Sequence, residues 1–264
     1  MKIEVNGVRI NYELSGKDDG PVVMLSHSLS THLAMWNLQM PVLEPHFKVL
    51  RYDTRGHGGS DAPEGVYTLG QLAEDAVGLL GALEIPKVHW VGISMGGMIG
   101  QGIALSHADR LHSLVLCDTA GIMPQEVQPV WQERIETARD QGMQALVRET
   151  LERWFTPAYL EKNTPEVQRI REQVLTSPVA GFIGCSEAIR RLNYLERLSE
   201  IKMPVLTIVG EDDPGTPVSA SEAICARIQG SKLVVLPSAR HLCNIEQAQL
   251  FNETLLPFLL DRMP

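Results

Sequence analysis

Gly92-Ile93-Ser94-Met95-Gly96 spells G-x-S-x-G, a spacing that can make a serine a nucleophile. In a chain of this glycine and serine content the pattern arises by chance about 0.1 times, so its surroundings must decide. Ser94 follows the apolar run KVHWV (Lys87 to Val91) and precedes MGGMIGQGIALSHA, which reads as a helix entered through small residues. A turn that sharp between strand and helix forces strained backbone angles on the serine. Glycine on either side lets the two elements approach without Cβ clashes. The same turn puts Met95 N–H at a helix start, aimed at the oxyanion that forms when Ser94 attacks a carbonyl.

A serine hydroxyl is a poor nucleophile at neutral pH and needs a base, which in turn needs an orienting carboxylate. After a turn of this kind the partners follow in the order serine, acid, histidine. Of eight histidines only His107, His112 and His241 come after Ser94. The first lies in the helix leaving the turn and the second opens the next strand, which leaves His241, in the loop PSARHLCN, as the base. The acid is expected in GEDDPGTP, where Glu211, Asp212 and Asp213 compete; Asp213, three residues after Gly210 and just before Pro214, is the choice. Asp118, ending the strand HSLVLCD, is the alternative acid position. A second oxyanion donor is expected after the strand VVMLS, at Leu29 N–H; the blander reading is a polar loop packing its own turn.

These groups need a frame. VRINYEL (Val8 to Leu14) alternates apolar and polar and predicts an antiparallel edge strand. Short apolar runs from Val22, Phe47, Val88, His112, Pro204 and Lys232 predict strands covered on both faces. Between several of them lie helical patterns, such as Thr68 to Leu83, opened by a Thr68/Gln71 capping box, and another closes the chain at 245–260. Strands alternating with helices predict an α/β fold with a mostly parallel sheet and ligands beyond the strands' carboxyl ends. Between 122 and 202 the alternation lapses into helices at Val127 to Arg139, Met143 to Trp154, Pro165 to Leu175 and Pro178 to Asn193. The expected organisation is a core of 1–121 and 203–264 with a helical cap of 122–202 over the sheet's active end.

The 264 residues are 44% hydrophobic and carry a formal charge of −9, with no run of Lys or Arg to attract phosphate polymers or anionic lipid. Nucleic acid and membranes are therefore not expected partners, and a small molecule is; oligomeric state stays open. No apolar stretch is long enough to span a bilayer and the start lacks a signal pattern, so the cytoplasm is the expected location. Cys117, Cys185, Cys225 and Cys243, without a C-x-x-C pair, read as buried free thiols.

GISMGGMIGQ, YDTRGHGGSDAP, RLHSLVLCDTAG, RWFTPAYL, GEDDPGTP and SARHLCNIEQ together resemble the α/β-hydrolase fold over nearly the whole chain. Within it, RWFT and GCSEAIR resemble the 3-oxoadipate enol-lactonases of bacterial aromatic degradation. The resemblance implies an eight-stranded-type sheet, the triad Ser94, Asp213 and His241, and hydrolysis of 3-oxoadipate enol-lactone to 3-oxoadipate with no metal or organic cofactor. Two departures bear on the substrate accepted: His27-Ser28-Leu29-Ser30 stands where the family often has Asn-Ser or similar followed by Leu-Gly, and Asn193 where it often has Asp.

Such a lactone carries a carboxylate, and an acidic protein must supply a local cation for it. Arg134 lies three positions after Trp131 on the first cap helix, so Trp131 is expected to wall the ring and Arg134 to bind the carboxylate. The alternative is a surface arginine and a tryptophan tying cap to core; Arg190 and Arg191 compete for the carboxylate, and Trp154 is expected to pack the cap. Asp53 and Arg55 are expected to tie a loop beside the site, with His57 a structural loop histidine. A carboxylesterase or cofactor-free perhydrolase or haloperoxidase would share the triad. A receptor with vestigial turnover would keep only the cleft, but no triad position is lost here.

Overall fold

Unbroken apolar runs set the middle of the sheet. In the computed structural model, which describes residues 1–262, every residue of the strands Val88–Ile93 and Val205–Gly210 is buried. The eight strands are β1 (Lys2–Val5), β2 (Val8–Gly16), β3 (Val22–Ser26), β4 (Lys48–Tyr52), β5 (Val88–Ile93), β6 (Leu111–Cys117), β7 (Val205–Gly210) and β8 (Lys232–Leu236). They form one sheet in the order β1-β2-β4-β3-β5-β6-β7-β8. From β4 to β8 neighbouring strands run parallel, and β2 is antiparallel to both β1 and β4.

The alternation in VRINYEL matches burial, with Val8, Ile10 and Tyr12 inward, but this strand is not the sheet's edge. β1 lies outside it, joined through a two-residue turn in which Asn6 (φ 49) and Gly7 (φ 75) are both left-handed. Asn-Gly between two strands is the residue pair such hairpins favour, so the edge was signalled by Asn6-Gly7 rather than by the four-residue Lys2–Val5, in which Val5 alone is fully buried.

Helices α1 (Met40–Leu43), α2 (Leu69–Ala82) and α3 (Met95–Ser106) precede β6. The Thr68 hydroxyl accepts Gln71 N–H at 3.0 Å, and α2 buries Leu72, Ala76, Leu79 and Leu80. Between β6 and β7 come α4 (Gln128–Gln141), α5 (Val147–Trp154), α6 (Pro157–Glu161), α7 (Pro165–Thr176) and α8 (Val179–Arg190). The segment expected as one helix from Met143 opens with a 3₁₀ turn, Met143–Ala145, before α5, and the short α6 was not foreseen. After β7 come α9 (Val218–Arg227), α10 (Cys243–Glu246) and α11 (Ala248–Leu260). The closing helix expected at 245–260 is thus broken at Gln247 (φ −120, ψ 46), whose side-chain amide donates to the Pro237 carbonyl at 2.9 Å.

Close backbone contacts fasten α8 to the loop after β4. Gly181 and Gly56 touch backbone to backbone: a Cβ on Gly181 would collide with the Gly56 carbonyl, and one on Gly56 (φ 86) would lie 2.5 Å from Gly181 Cα. Nearby, Tyr67 N–H donates to the Gly184 carbonyl at 3.2 Å. The loop itself is tied as expected: Asp53 accepts Leu33 N–H, Gly59 N–H and the Asn11 amide, each at 2.8 Å, and buried Arg55 makes a bidentate pair with Asp75 at 2.6 and 2.8 Å. Cys117, Cys185 and Cys243 are buried free thiols, whereas Cys225 is half-buried, its Sγ 3.4 Å from Thr207 Oγ1. Among the described residues no helix is long and apolar enough to cross a membrane.

Candidate active site

Parallel strands end on one side of the sheet, so the segments leaving β3, β5, β6, β7 and β8 converge there. Ser94 follows β5 and immediately precedes α3, at φ 55 and ψ −117, a conformation that L residues rarely adopt. The flanking glycines make the bend feasible. A Cβ on Gly92 would strike the Gly96 carbonyl, and one on Gly96 would strike the Ser26 carbonyl at the end of β3. Thr119 steadies the turn by donating its hydroxyl to the Ser94 carbonyl at 2.8 Å. Met95 N–H, first in α3, has no intrahelical acceptor.

The segments after β7 and β8 deliver Asp213 and His241. Asp213 Oδ1 accepts Gly215 N–H at 2.8 Å and Thr216 N–H at 3.2 Å, while Oδ2 accepts the Thr216 hydroxyl at 2.6 Å and His241 Nδ1–H at 2.8 Å. Burial works to raise the Asp213 carboxyl, but the charge and hydrogen bond of His241, with Thr216 and Gly215, outweigh it and hold the group below its ordinary value. For His241 burial works to lower the imidazole, and the charge and hydrogen bond of Asp213 prevail, so it sits above its ordinary value. Binding Asp213 through Nδ1 leaves Nε2 for the cavity that His241 shares with Ser94. Among the described residues no hydrogen bond joins Ser94 Oγ to His241. Glu211 and Asp212 are exposed loop residues.

Asp118, the alternative acid, sits beside this pair without joining it. Its Oδ1 accepts Gly210 N–H at 2.8 Å, and its buried Oδ2 has no hydrogen-bond partner among the described residues. Burial, then the neighbouring Asp213 charge, push its carboxyl up to about 8, so it is protonated at neutral pH.

The loop after β3 is held by two buried imidazoles. His27 Nε2 accepts Thr54 N–H at 2.9 Å and its Nδ1–H donates to the Ser28 carbonyl at 2.7 Å. His57 Nε2 accepts Ser30 N–H at 2.9 Å, with Nδ1 at 3.3 Å from the Arg55 carbonyl. Burial drives both toward the neutral form, His27 to about 4 and His57 to about 3. Between the anchored Ser28 and Ser30 (φ 61) lies Leu29, whose N–H has no acceptor among the described residues.

One cavity of about 430 Å³ joins these groups, with Ser28, Leu29, Ser94, Asp213 and His241 on the sheet side and Trp131, Arg134, Arg153 and Trp154 on the helical side. Arg134 is 5.1 Å from the Trp131 ring centre and 5.8 Å from that of Phe182, and no carboxylate pairs with it among the described residues. Burial and then the Arg153 charge push its guanidinium down to about 10. Arg190 and Arg191 do not line the cavity; Arg190 is engaged by Gln128, Gln132 and Glu187, and Arg191 by Glu187. Asn193 is exposed, bridges to Ile122 and does not line the cavity. Trp154 does more than pack helices: its ring stacks on His241, centroids 6.2 Å apart and planes 25° from parallel. That contact and the cavity position of Arg153 were missed, and a residue's neighbours across the sheet have no signal in local spacing.

Chemistry gathered at the carboxyl edge of a mostly parallel sheet is the arrangement of the α/β hydrolases as a class. The chain belongs to the α/β hydrolase fold family, whose model matches residues 21–248. It is similar to 3-oxoadipate enol-lactonase 2 of Acinetobacter baylyi, 36% identical over 93% of this chain and 91% of that one. It also resembles a protein of Agrobacterium fabrum that carries the name carbamate hydrolase RutD, 30% identical over 95% of this chain and 98% of that one. Among solved structures, the enol-lactonase from Burkholderia xenovorans LB400 superposes with a TM-score of 0.95 at 38% identity, covering 98% of this chain and 100% of that one.

Proposed function

We propose that this hydrolase opens a small carboxylate-bearing lactone, 3-oxoadipate enol-lactone, by a serine mechanism, with residues 122–202 as the cap over the site. The observation that carries the reading is the Asp213–His241 pair sharing one cavity with strained Ser94 and with the carboxylate-free Arg134. The enol-lactonase names of two similar proteins support the substrate.

His241 Nε2 takes the Ser94 proton as Oγ adds to the lactone carbonyl, and the oxyanion meets Met95 N–H and Leu29 N–H. The ring C–O bond then breaks. The enolate leaves, takes the proton from His241 and becomes the ketone, while the acyl group stays on Ser94. Water, deprotonated by His241, attacks this ester, and the acid is released with Ser94 reprotonated, one water consumed in all. An enolate is a better leaving group than an alkoxide, so the first breakdown asks little of the general acid. Arg134 holds the substrate carboxylate through charge-assisted bonds while the Trp131 face walls the ring.

The test compares enol-lactone generated in situ with neutral aryl esters of similar size and with carbamates. The reading expects kcat/KM highest for the lactone. Equal or better turnover of a carbamate or of a neutral ester would sink the substrate assignment while leaving the serine mechanism standing.

A further inference from the structure

We propose that His57 is a positioning residue whose imidazole, paired with His27 across two loops, aims the Leu29 N–H into the cavity as an oxyanion donor; this rests on the serine mechanism above.

The two histidines work reciprocally. His27 stands on the loop after β3 and accepts from Thr54 N–H on the loop after β4; His57 stands on the loop after β4 and accepts from Ser30 N–H on the loop after β3. Each accepts through Nε2, so each carries its proton on Nδ1 and spends it on a carbonyl, Ser28 for His27 and Arg55 for His57. The rings are 5.1 Å apart and both fully buried.

The consequence falls on Leu29. A trans peptide points its C=O and N–H in opposite directions, so fixing one fixes the other. The Ser28–Leu29 unit is gripped at its carbonyl by His27 Nδ1–H and by the amide and hydroxyl of Thr31, at 3.2 and 2.8 Å. The Leu29–Ser30 unit is gripped at its N–H by His57. With both neighbouring planes held, the Leu29 N–H direction is set, and Ser30 is kept at φ 61, a strained value for a serine. Without the His57 acceptor, the Ser30 N–H would be buried and unpaired, and the backbone would turn to relieve it.

The experiment uses the full chain with His57→Phe and His57→Gln, a neutral aryl ester as substrate, and an alkyl boronic acid as a probe that mimics the tetrahedral adduct on Ser94. Gln offers an acceptor oxygen at comparable reach; Phe keeps a ring without one. For His57→Phe we expect kcat to fall on the order of 10- to 100-fold with KM within about twofold, and boronate affinity to fall in parallel with kcat. His57→Gln should recover most of both. A folded His57→Phe with kcat and boronate affinity within about twofold of the parent would overturn the proposal, as would a loss confined to KM. Should His57→Phe not fold, ¹⁵N imidazole spectra of the unmodified protein decide: Nδ1–H with a bare Nε2 is required, and Nε2–H overturns it. Failure of the unmodified protein to hydrolyse any ester or bind boronate would instead strike the serine mechanism.

Discussion

The Trp154 indole lies stacked on the His241 imidazole, and the Trp154 carbonyl also accepts the Leu242 N–H at 3.2 Å, so α5 touches both the ring of the proposed base and the backbone of the residue after it. Trp154→Ala opens space beside a ring that must keep its orientation. We expect a stability loss of about 3–5 kcal/mol by urea unfolding and a fall in kcat on the order of 10-fold, both largely spared in Trp154→Phe. Unchanged kcat in the alanine variant would show that Asp213 alone orients the imidazole.

Ser94 holds a conformation better suited to glycine. Ser94→Gly should raise the unfolding free energy by about 1 kcal/mol while lowering kcat by about 10⁴-fold or more. Denaturant titration and burst kinetics with an activated ester check the two halves. Substantial surviving turnover would remove Ser94 from the mechanism.

The base must be neutral to accept the serine proton, and His241 is held above an ordinary imidazole by Asp213. The acid limb of kcat/KM should therefore lie above about pH 6.5, with activity lost as pH falls through it. Asp213→Asn should lower kcat on the order of 10⁴-fold. An acid limb below pH 6 would contradict the pairing.

Stability should depend on pH in two opposed ways. His27 and His57 titrate lower in the folded chain than unfolded, at about 4 and about 3. Their contribution is full above about pH 6.5 and is lost as pH falls toward 3, each with a slope of up to about 1.4 kcal/mol per pH unit. Asp118 titrates higher when folded, at about 8, so its contribution is full below about pH 4 and lost as pH rises through 8. Asp118→Asn keeps an oxygen for Gly210 N–H, and its stability relative to the parent should grow between pH 4 and 8. Urea unfolding at several pH values reads both trends; a constant difference would mean that Asp118 is ionised when folded.

Arg134→Ala should raise KM for the carboxylate-bearing lactone on the order of 10- to 100-fold and change KM for a neutral aryl ester by less than about threefold. Steady-state kinetics on both substrates gives the answer. Equal effects would make Arg134 a structural partner of Trp131 and Phe182 only.

How much of this was readable depends on whether the constraint is local. Ser94 was readable because strand, glycine, glycine and helix are contiguous, and the place of His241 by elimination, since the chain holds few histidines beyond that turn. Asp213 could be separated from Glu211 and Asp212 because only it precedes the Pro214 turn that supplies Gly215 and Thr216 N–H. The reciprocal work of His27 and His57 was not readable: it depends on β4 lying beside β3, a pairing that spacing does not encode. The stacking of Trp154 on His241 and the cavity position of Arg153 were missed for the same reason, since the groups they face come from segments far off in the chain. The outermost strand was missed for a different one, since the four residues Lys2–Val5 bury only Val5 fully and its turn is the stronger signal.

The bare backbone touch between positions 56 and 181 sets a rule for anyone recombining these hydrolases. A helical segment transplanted from a relative would seat only if it arrived with no side chain at the second position, and a core mutated at the first would reject every donor, however good its pocket. Chimeras should therefore sort into soluble and insoluble sets according to those two sites before any difference in catalysis is seen.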